Sequence, residues 1–394
     1  MMKKLLTVLF SLVSLAAFAQ APQPPEIAAK SYLLLDVTTN QVLAQKDIDS
    51  PVEPASLTKL MTAYVVFDAL RSKKIDLKQT FSVSNRAWKM PGSRMFIEPS
   101  MQVPVEDLIK GMIVQSGNDA TMALAEGVAG SAERFVQLMN DQAKLLGLKN
   151  TAYKNPEGLT EPGHTTTARD LSVLAARLVA DFPQEFAYYS IKKYRYPGTP
   201  AANDTNRNLL LFRDPSVDGL KTGYTEAAGY CLIATARREV AGLKVLATGA
   251  SPQVESGRRL LAIVLGAKSA NNRANEAQKL LNWGYTAYDA SVLFSARQQV
   301  VTPVLWKGVT PKLALGPEQP VVVAVPSGSG PKFTTQVVYP EPLIAPFTKG
   351  QKVGTLKISV GGAVVREVPL VSLEAVEQTG LMGRAWDTLR LWVK

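Results

Sequence analysis

Residues 54–67 read Pro54-Ala55-Ser56-Leu57-Thr58-Lys59-Leu60-Met61-Thr62-Ala63-Tyr64-Val65-Val66-Phe67. A proline stands just ahead of a run that is apolar at almost every position from 57 to 67. Such a run has no polar face to offer water, so it predicts a helix over 55–71 that is buried on all sides. Ser56 then sits at the helix mouth, where unpaired backbone N–H groups and the positive end of the dipole gather. Lys59, three residues on, falls on the same face. A lysine drawn into dry protein holds its proton less tightly, and a second cation nearby, for which Lys221 is the candidate, loosens it further. The neutral amine can then take the proton of the Ser56 hydroxyl. Alone, the pattern carries little. Ser-x-x-Lys recurs at Ser190/Lys193 and Ser329/Lys332, and an isolated match reads equally as a helix cap beside a solvated lysine.

Two more short motifs give it weight. Ser116-Gly117-Asn118 lies in a helical region, and Lys221-Thr222-Gly223 lies in a strand-like run. Ser-x-Asn also occurs at Ser269/Asn271, whereas Lys-Thr-Gly occurs once. Ser116 can relay a proton between Lys59 and a leaving amine, and Asn118 can bind a substrate amide carbonyl. Lys221 and Thr222 alternate along a strand. Gly223, lacking a side chain, lets an extended peptide lie against that strand's edge. The backbone N–H groups of Ser56 and Tyr224 are candidates for an oxyanion hole. Thr222, with a cation beside it, suits a terminal carboxylate.

Outward from these motifs the chain divides into two parts. Residues 31–36 and 41–45, joined by Thr38-Thr39-Asn40, predict a hairpin. Helices are expected over 105–130, 132–147 and 168–180, strands over 218–236 and 243–250, and helices again over 256–265 and 272–288. Strands at both ends of a helix-rich middle predict an α/β (α+β) catalytic domain, residues 26–292, with an antiparallel sheet flanked by helices. Composition changes near residue 295. The runs 299–306, 321–325, 334–338, 351–360 and 364–370 are β-rich and split by Gly/Pro turns, which predicts a small all-β sandwich over 293–374. Residues 375–394 form a last unit. On a helix Met382, Trp386, Leu389 and Val393 make one stripe, with Arg384, Arg390 and Lys394 basic and Trp386 and Trp392 suited to a membrane interface.

Composition narrows the chemistry. The 394 residues carry a net charge of +11, or +9 without Lys3 and Lys4, which suits an anionic polymer or membrane face. No Lys/Arg run interleaves with aromatics, so no nucleic-acid partner is expected. A single cysteine, Cys231, excludes an internal disulfide and a thiolate metal cluster. A single histidine, His164, excludes multi-His zinc motifs and reads as a solvated loop residue after Pro162-Gly163. No cofactor is called for. At the amino terminus a Lys3-Lys4 n-region, an apolar stretch from Leu5 and the small-x-small triplet Ala17-Phe18-Ala19 predict a cleaved signal peptide over 1–19.

The three motifs in this order resemble the serine penicillin-binding protein and β-lactamase superfamily. The segments 54–62, 115–120, 147–151 and 217–223 are similar to the low-molecular-mass D-alanyl-D-alanine carboxypeptidases, and so are the β-rich tail and amphipathic C-terminus. That resemblance implies a serine carboxypeptidase trimming the terminal D-alanine from peptidoglycan stem peptides through an acyl-enzyme, and inhibited covalently by β-lactams. It implies Ser56 as nucleophile, Lys59 as base and Ser116 as relay, with Asn118, Lys221, Thr222 and Gly223 meeting substrate. It also implies a carboxylate-binding arginine from a strand ahead of Lys-Thr-Gly. Asn206-Arg207-Asn208 matches that segment, so Arg207 is the candidate. Residues 91–95 resemble the family's loop beside the site, and Tyr224 stands where members often carry histidine. Localisation would be periplasmic, the C-terminal helix holding the enzyme on the inner membrane. A β-lactamase of the same fold is the nearest rival, but the chain has no Glu-x-x-Leu-Asn segment to activate a deacylating water. Relatives that cleave cross-bridges usually lack the extra domain. A non-catalytic wall-binding scaffold would have no use for intact Ser56, Lys59, Ser116 and Lys221.

Overall fold

The computed structural model describes residues 22–239, 257–328 and 333–392. The expected signal segment, the strand expected over 243–250, Val393 and Lys394 lie outside these residues. A five-stranded antiparallel sheet organises the first part. The hairpin Ser31–Asp36 and Gln41–Lys46 joins Arg258–Ala267, then Gly229–Arg238, and Val217–Thr225 forms the far edge. An amino-terminal strand therefore pairs with one more than 200 residues later, as in Leu33 opposite Ile263.

The sheet is covered on both faces. Leu33, Leu35, Ile233, Leu261 and Ile263 face the helical side, with the helix Lys59–Arg71 in the same core. Leu34, Leu232, Leu260, Ala262 and Val264 face the helix Ala270–Ala287. This corrects one expectation. Residues 256–265 were expected to be helical, yet Arg258–Ala267 is a central strand. A strand buried on both faces loses its polar alternation and reads as a continuous apolar run, which periodicity cannot tell from a buried helix.

A second correction falls on 105–130. Two helices stand there, Val105–Val114 and Asn118–Ala129, broken at Ser116, whose φ is +60°. Serine and glycine are poor helix residues, and a left-handed step ends the first helix outright. The break turns the Ser116 hydroxyl out of the helix and leaves Asn118 to open the next one. The chain ahead of the nucleophile helix is similarly bent. Ala55 has φ +48°, and Ala55–Thr58 is a 3-10 turn leading into Lys59–Arg71. From Leu57 to Phe67 that element is buried throughout. Each fully buried Leu, Val or Phe stabilises it by about 1.5–3 kcal/mol relative to exposure.

The second part is all β. Leu315–Pro317, Ala363–Ser372, Lys352–Val360 and Phe333–Val338 form a four-stranded sheet in that order. Val321–Pro326 pairs with Tyr288–Phe294, a strand that straddles the boundary expected between 292 and 293. Leu315, Val321, Val323, Leu356, Ile358 and Leu370 fill its core. The two parts are clasped at buried atoms. The Gln41 amide donates to the Ala324 carbonyl at 3.2 Å and accepts from the Ala324 N–H at 2.7 Å. Arg258, paired with Asp36 at 2.7 Å, also donates to the Tyr288 carbonyl. The last helix, Leu381–Trp392, is held on its polar side: Asp387 accepts from the Lys307 N–H at 2.6 Å, and Arg390 lies 5.5 Å from the Trp306 ring centre. Leu381, Met382, Trp386, Leu389 and Trp392 are exposed. No helix among the described residues is long and apolar enough to cross a membrane.

Candidate active site

The three motifs meet in one cleft of about 630 Å³ between the edge strand, the nucleophile turn and the break at Ser116. Lys59, 1% exposed, is the hub. Its Nζ lies 3.0 Å from Ser56 Oγ, 2.7 Å from Asn118 Oδ1 and 2.7 Å from the Glu157 carbonyl oxygen. The last two atoms can only accept hydrogen bonds. A neutral amine has two N–H donors and one lone pair. The donors fit the two acceptors, and the lone pair is left for the Ser56 hydroxyl proton. Burial is the main force on Lys59 and brings its pKa down to about 7, with Arg207 adding to that and the Glu157 and Asp119 carboxylates opposing it. The expected second cation, Lys221, is itself affected by Lys59, the two amines opposing each other's charge. Its own amine is driven well below the ordinary lysine range, by burial first and then by Lys59, Arg207 and Arg273.

Lys221 Nζ donates to Ser116 Oγ at 2.8 Å and to the Thr222 carbonyl at 2.9 Å. The hydroxyl of Ser116 is thus held by the third motif at the cleft wall. Asn118 Nδ2 donates to the Pro91 carbonyl at 2.6 Å, and its second hydrogen remains for a ligand. Arg207 lines the cleft, exposed and without a protein partner among the described residues. It stands on a bend after the Thr205 bridge, not on a strand. Thr222 and Tyr224 line the same space, and Tyr224 rests against Tyr230 at 4.4 Å between ring centres.

Gly223, which borders the cleft, also has a packing role. A Cβ there would meet the Pro54 carbonyl at 3.2 Å and Ala55 Cβ at 3.2 Å, so the missing side chain seats the strand on the nucleophile turn. His164 is also corrected. It is 3% exposed, accepts from the Lys154 N–H at Nδ1 and lies 2.8 Å from Thr58 Oγ1 through Nε2. A neutral ring accepting at Nδ1 carries its proton on Nε2 and donates to Thr58. Burial holds its pKa down to about 4, so it buttresses the turn as a neutral ring.

Three further residues shape the site. Asp119, fully buried, accepts from the N–H groups of Met95, Phe96 and Ile97 and pins the loop 91–97 over the cleft. Arg273 donates to the Gly223 carbonyl at 3.0 Å and braces the edge strand from the neighbouring helix. Glu157 lines the cleft from a loop 98 residues beyond Lys59. Asp119 adjoins the second motif and was open to suspicion. The other two are brought in by tertiary contacts that leave no local signal. A groove of about 710 Å³ at the far end of the nucleophile helix contains no serine, threonine or cysteine.

Comparison with known proteins agrees with this geometry. A family model described as D-alanyl-D-alanine carboxypeptidase matches residues 18–251, and one described as the C-terminal domain of penicillin-binding protein 5 matches 288–378. The chain belongs to the D-alanyl-D-alanine carboxypeptidase family. The carboxypeptidase DacC of Escherichia coli K12 is 39% identical over 381 residues, covering 94% of this chain and 90% of that protein. Penicillin-binding protein 5 of Haemophilus influenzae superposes with a TM-score of 0.81 at 32% identity, over 91% of this chain and all of the other. Penicillin-binding protein D2 of Listeria monocytogenes, solved in an ampicillin-bound form, gives 0.57 at 28% identity over 67% of this chain and 100% of that one.

Proposed function

We propose that this carboxypeptidase removes the terminal D-alanine of peptidoglycan stem peptides through an ester on Ser56. The observation that carries the reading is the Lys59 amine, dry and 3.0 Å from Ser56 Oγ. Lys59 takes the hydroxyl proton as Oγ attacks the carbonyl of the penultimate D-alanine. The Ser56 and Tyr224 N–H groups receive the developing oxyanion. Ser116, held by Lys221, carries the proton to the departing amine, and D-alanine leaves. Water then cleaves the ester. β-Lactams enter the same sequence and stay longer as the acyl group. Mass spectrometry after penicillin, with an assay for released D-alanine, tests the scheme. An adduct on a residue other than Ser56 would overturn it.

Arg207, with Thr222, is assigned to the substrate's free carboxylate. An exposed guanidinium with no protein partner beside a hydroxyl is suited to it. Amidating the substrate's C-terminus should lower kcat/KM by about 10- to 100-fold in the wild type, the range of a charge-assisted hydrogen bond worth about 1.5–3 kcal/mol. In Arg207→Ala the loss should be much smaller. Equal losses in both would remove Arg207 from this role.

Export and membrane attachment complete the reading. The amino-terminal segment would be removed on export, and the helix Leu381–Trp392 would lie in the outer face of the inner membrane. Its polar side is engaged by Lys307 and Trp306, while Met382, Trp386 and Leu389 point away from the β unit. That orientation disfavours a helix packed on its own domain. A cut after Leu373 would also delete Val376, which is buried and bridges Phe347, so the clean test cuts after Gly380. The shortened protein should leave the membrane fraction and keep full D-alanine release from soluble peptides. If it still pellets with membranes, the anchor lies elsewhere.

A further inference from the structure

Glu157 has no part in the scheme above beyond its backbone carbonyl, yet its side chain is 4% exposed and borders the cleft with Ser56, Ser116 and Asn118. Its Oε2 is buried and accepts no hydrogen bond from the protein. Leaving a buried carboxylate oxygen unpaired costs several kcal/mol unless a small polar molecule serves it. The loop that carries it is tied by its own hydrogen bonds. Asn155 Oδ1 accepts from the N–H groups of Gly158 at 2.7 Å and Leu159 at 3.1 Å. Gly158 has φ +89°, and a Cβ there would sit 1.9 Å from the Ala55 carbonyl oxygen, so the loop is pressed onto the turn that bears the nucleophile. The Glu157 backbone oxygen and Ser56 Oγ are both hydrogen-bonded to one amine, which bounds the distance from this loop to the reacting centre.

We propose that the Glu157 carboxylate is the general base that activates the deacylating water, a role that rests on Ser56 being the acylated residue. After D-alanine leaves with its proton, Lys59 is again neutral. Glu157 takes a proton from water as the water oxygen attacks the acyl carbon. The tetrahedral intermediate then collapses and its bond to Ser56 Oγ breaks. The proton on Glu157 passes to the Lys59 amine and from there to Oγ, which restores the hydroxyl, the amine and the carboxylate. Acylation uses the lone pair of Lys59, and deacylation uses the carboxylate beside it. The Glu157 carboxylate favours a proton on Lys59, the direction such a relay needs. The chain thus has a deacylating acid on Asn155-Pro156-Glu157-Gly158-Leu159, although it lacks Glu-x-x-Leu-Asn.

The test follows the acyl-enzyme in full-length wild type and Glu157→Gln. Each is mixed with a fluorescent penicillin, excess label is chased, and the adduct is located by peptide mass and timed. The glutamine variant should acquire the adduct on Ser56 and hold it about 100-fold longer, the lower range for losing a general base. With a stem peptide ending in D-Ala-D-Ala it should release one equivalent of D-alanine in a burst, then turn over about 100-fold more slowly than wild type. Lifetimes are read on acylated molecules only, so misfolded protein does not enter. Decay of the variant's adduct at the wild-type rate overturns the inference. So does a variant that is never acylated, or one in which acylation and release slow equally without accumulation, because the carboxylate would then be acting on Lys59. A wild-type adduct found away from Ser56 would instead overturn the nucleophile assignment.

Discussion

Ser56→Ala is expected to abolish both the penicillin adduct and D-alanine release. The substitution deletes the hydroxyl that sits at the mouth of the nucleophile helix, 3.0 Å from the buried Lys59 amine. Ser116, whose hydroxyl also lines the cleft, already accepts a hydrogen bond from the Lys221 amine at 2.8 Å and stands at the break between two helices, away from the nucleophile turn. In serine acyl-transfer enzymes loss of the nucleophile costs about 10⁶ in kcat, so at least 10⁴ is expected after allowing for residual binding effects. Intact-protein mass spectrometry reads the adduct and a D-alanine assay reads turnover. A stoichiometric adduct on Ser56→Ala would sink the assignment.

The second large effect concerns the charge of Lys59. Only its neutral form has a lone pair for the Ser56 proton. The neutral fraction grows as pH rises, and burial sets the midpoint near 7. Acylation should therefore rise with pH through about 7 and fall tenfold per unit below it. Lys59→Arg should lose about 10²–10⁴ in acylation rate, because a guanidinium stays protonated across the accessible range. Its residual rate should show no limb near 7. Arg207 adds to the depression of Lys59, so Arg207→Ala should move the wild-type limb upward in pH. A wild-type profile flat between pH 5 and 9 would rule out a titrating lysine base.

How much of this was legible depended on whether the signal was local. Ser56 and Lys59 share one helical turn, and the apolar run after them announces its own burial. Ser116, Asn118 and Lys221 were readable because their motifs are short strings in a telling order, and the structure joins them through Lys59 and Ser116. The strand Arg258–Ala267 was misread because both its faces are covered, which erases the alternation. The fault at Ser116 was hidden because a single left-handed residue leaves the flanking helical periodicity intact. His164, Arg273 and Glu157 owe their places to contacts 106, 50 and 98 residues away, which no window of sequence contains. Gly223 was read for the cleft side alone, since a missing side chain does not say that a second surface, the nucleophile turn, also approaches it.

The Gln41 clasp bears on how the cleft finds its substrate. A free peptide tumbles until it fits, whereas a cross-linked polymer does not turn to meet an enzyme. The orientational search then falls to the protein. A hinge between the two parts would let the cleft sweep through a cone, and the paired hydrogen bonds between Gln41 and Ala324, reinforced from Arg258 to Tyr288, oppose that motion. On the proposed attachment, with the C-terminal helix in a membrane plane, the remaining motions would be lateral drift and rotation about the membrane normal. The cleft would then patrol a layer at constant height, and the stems within its reach would be chosen by their distance from the bilayer before any contact with Arg207 or Thr222.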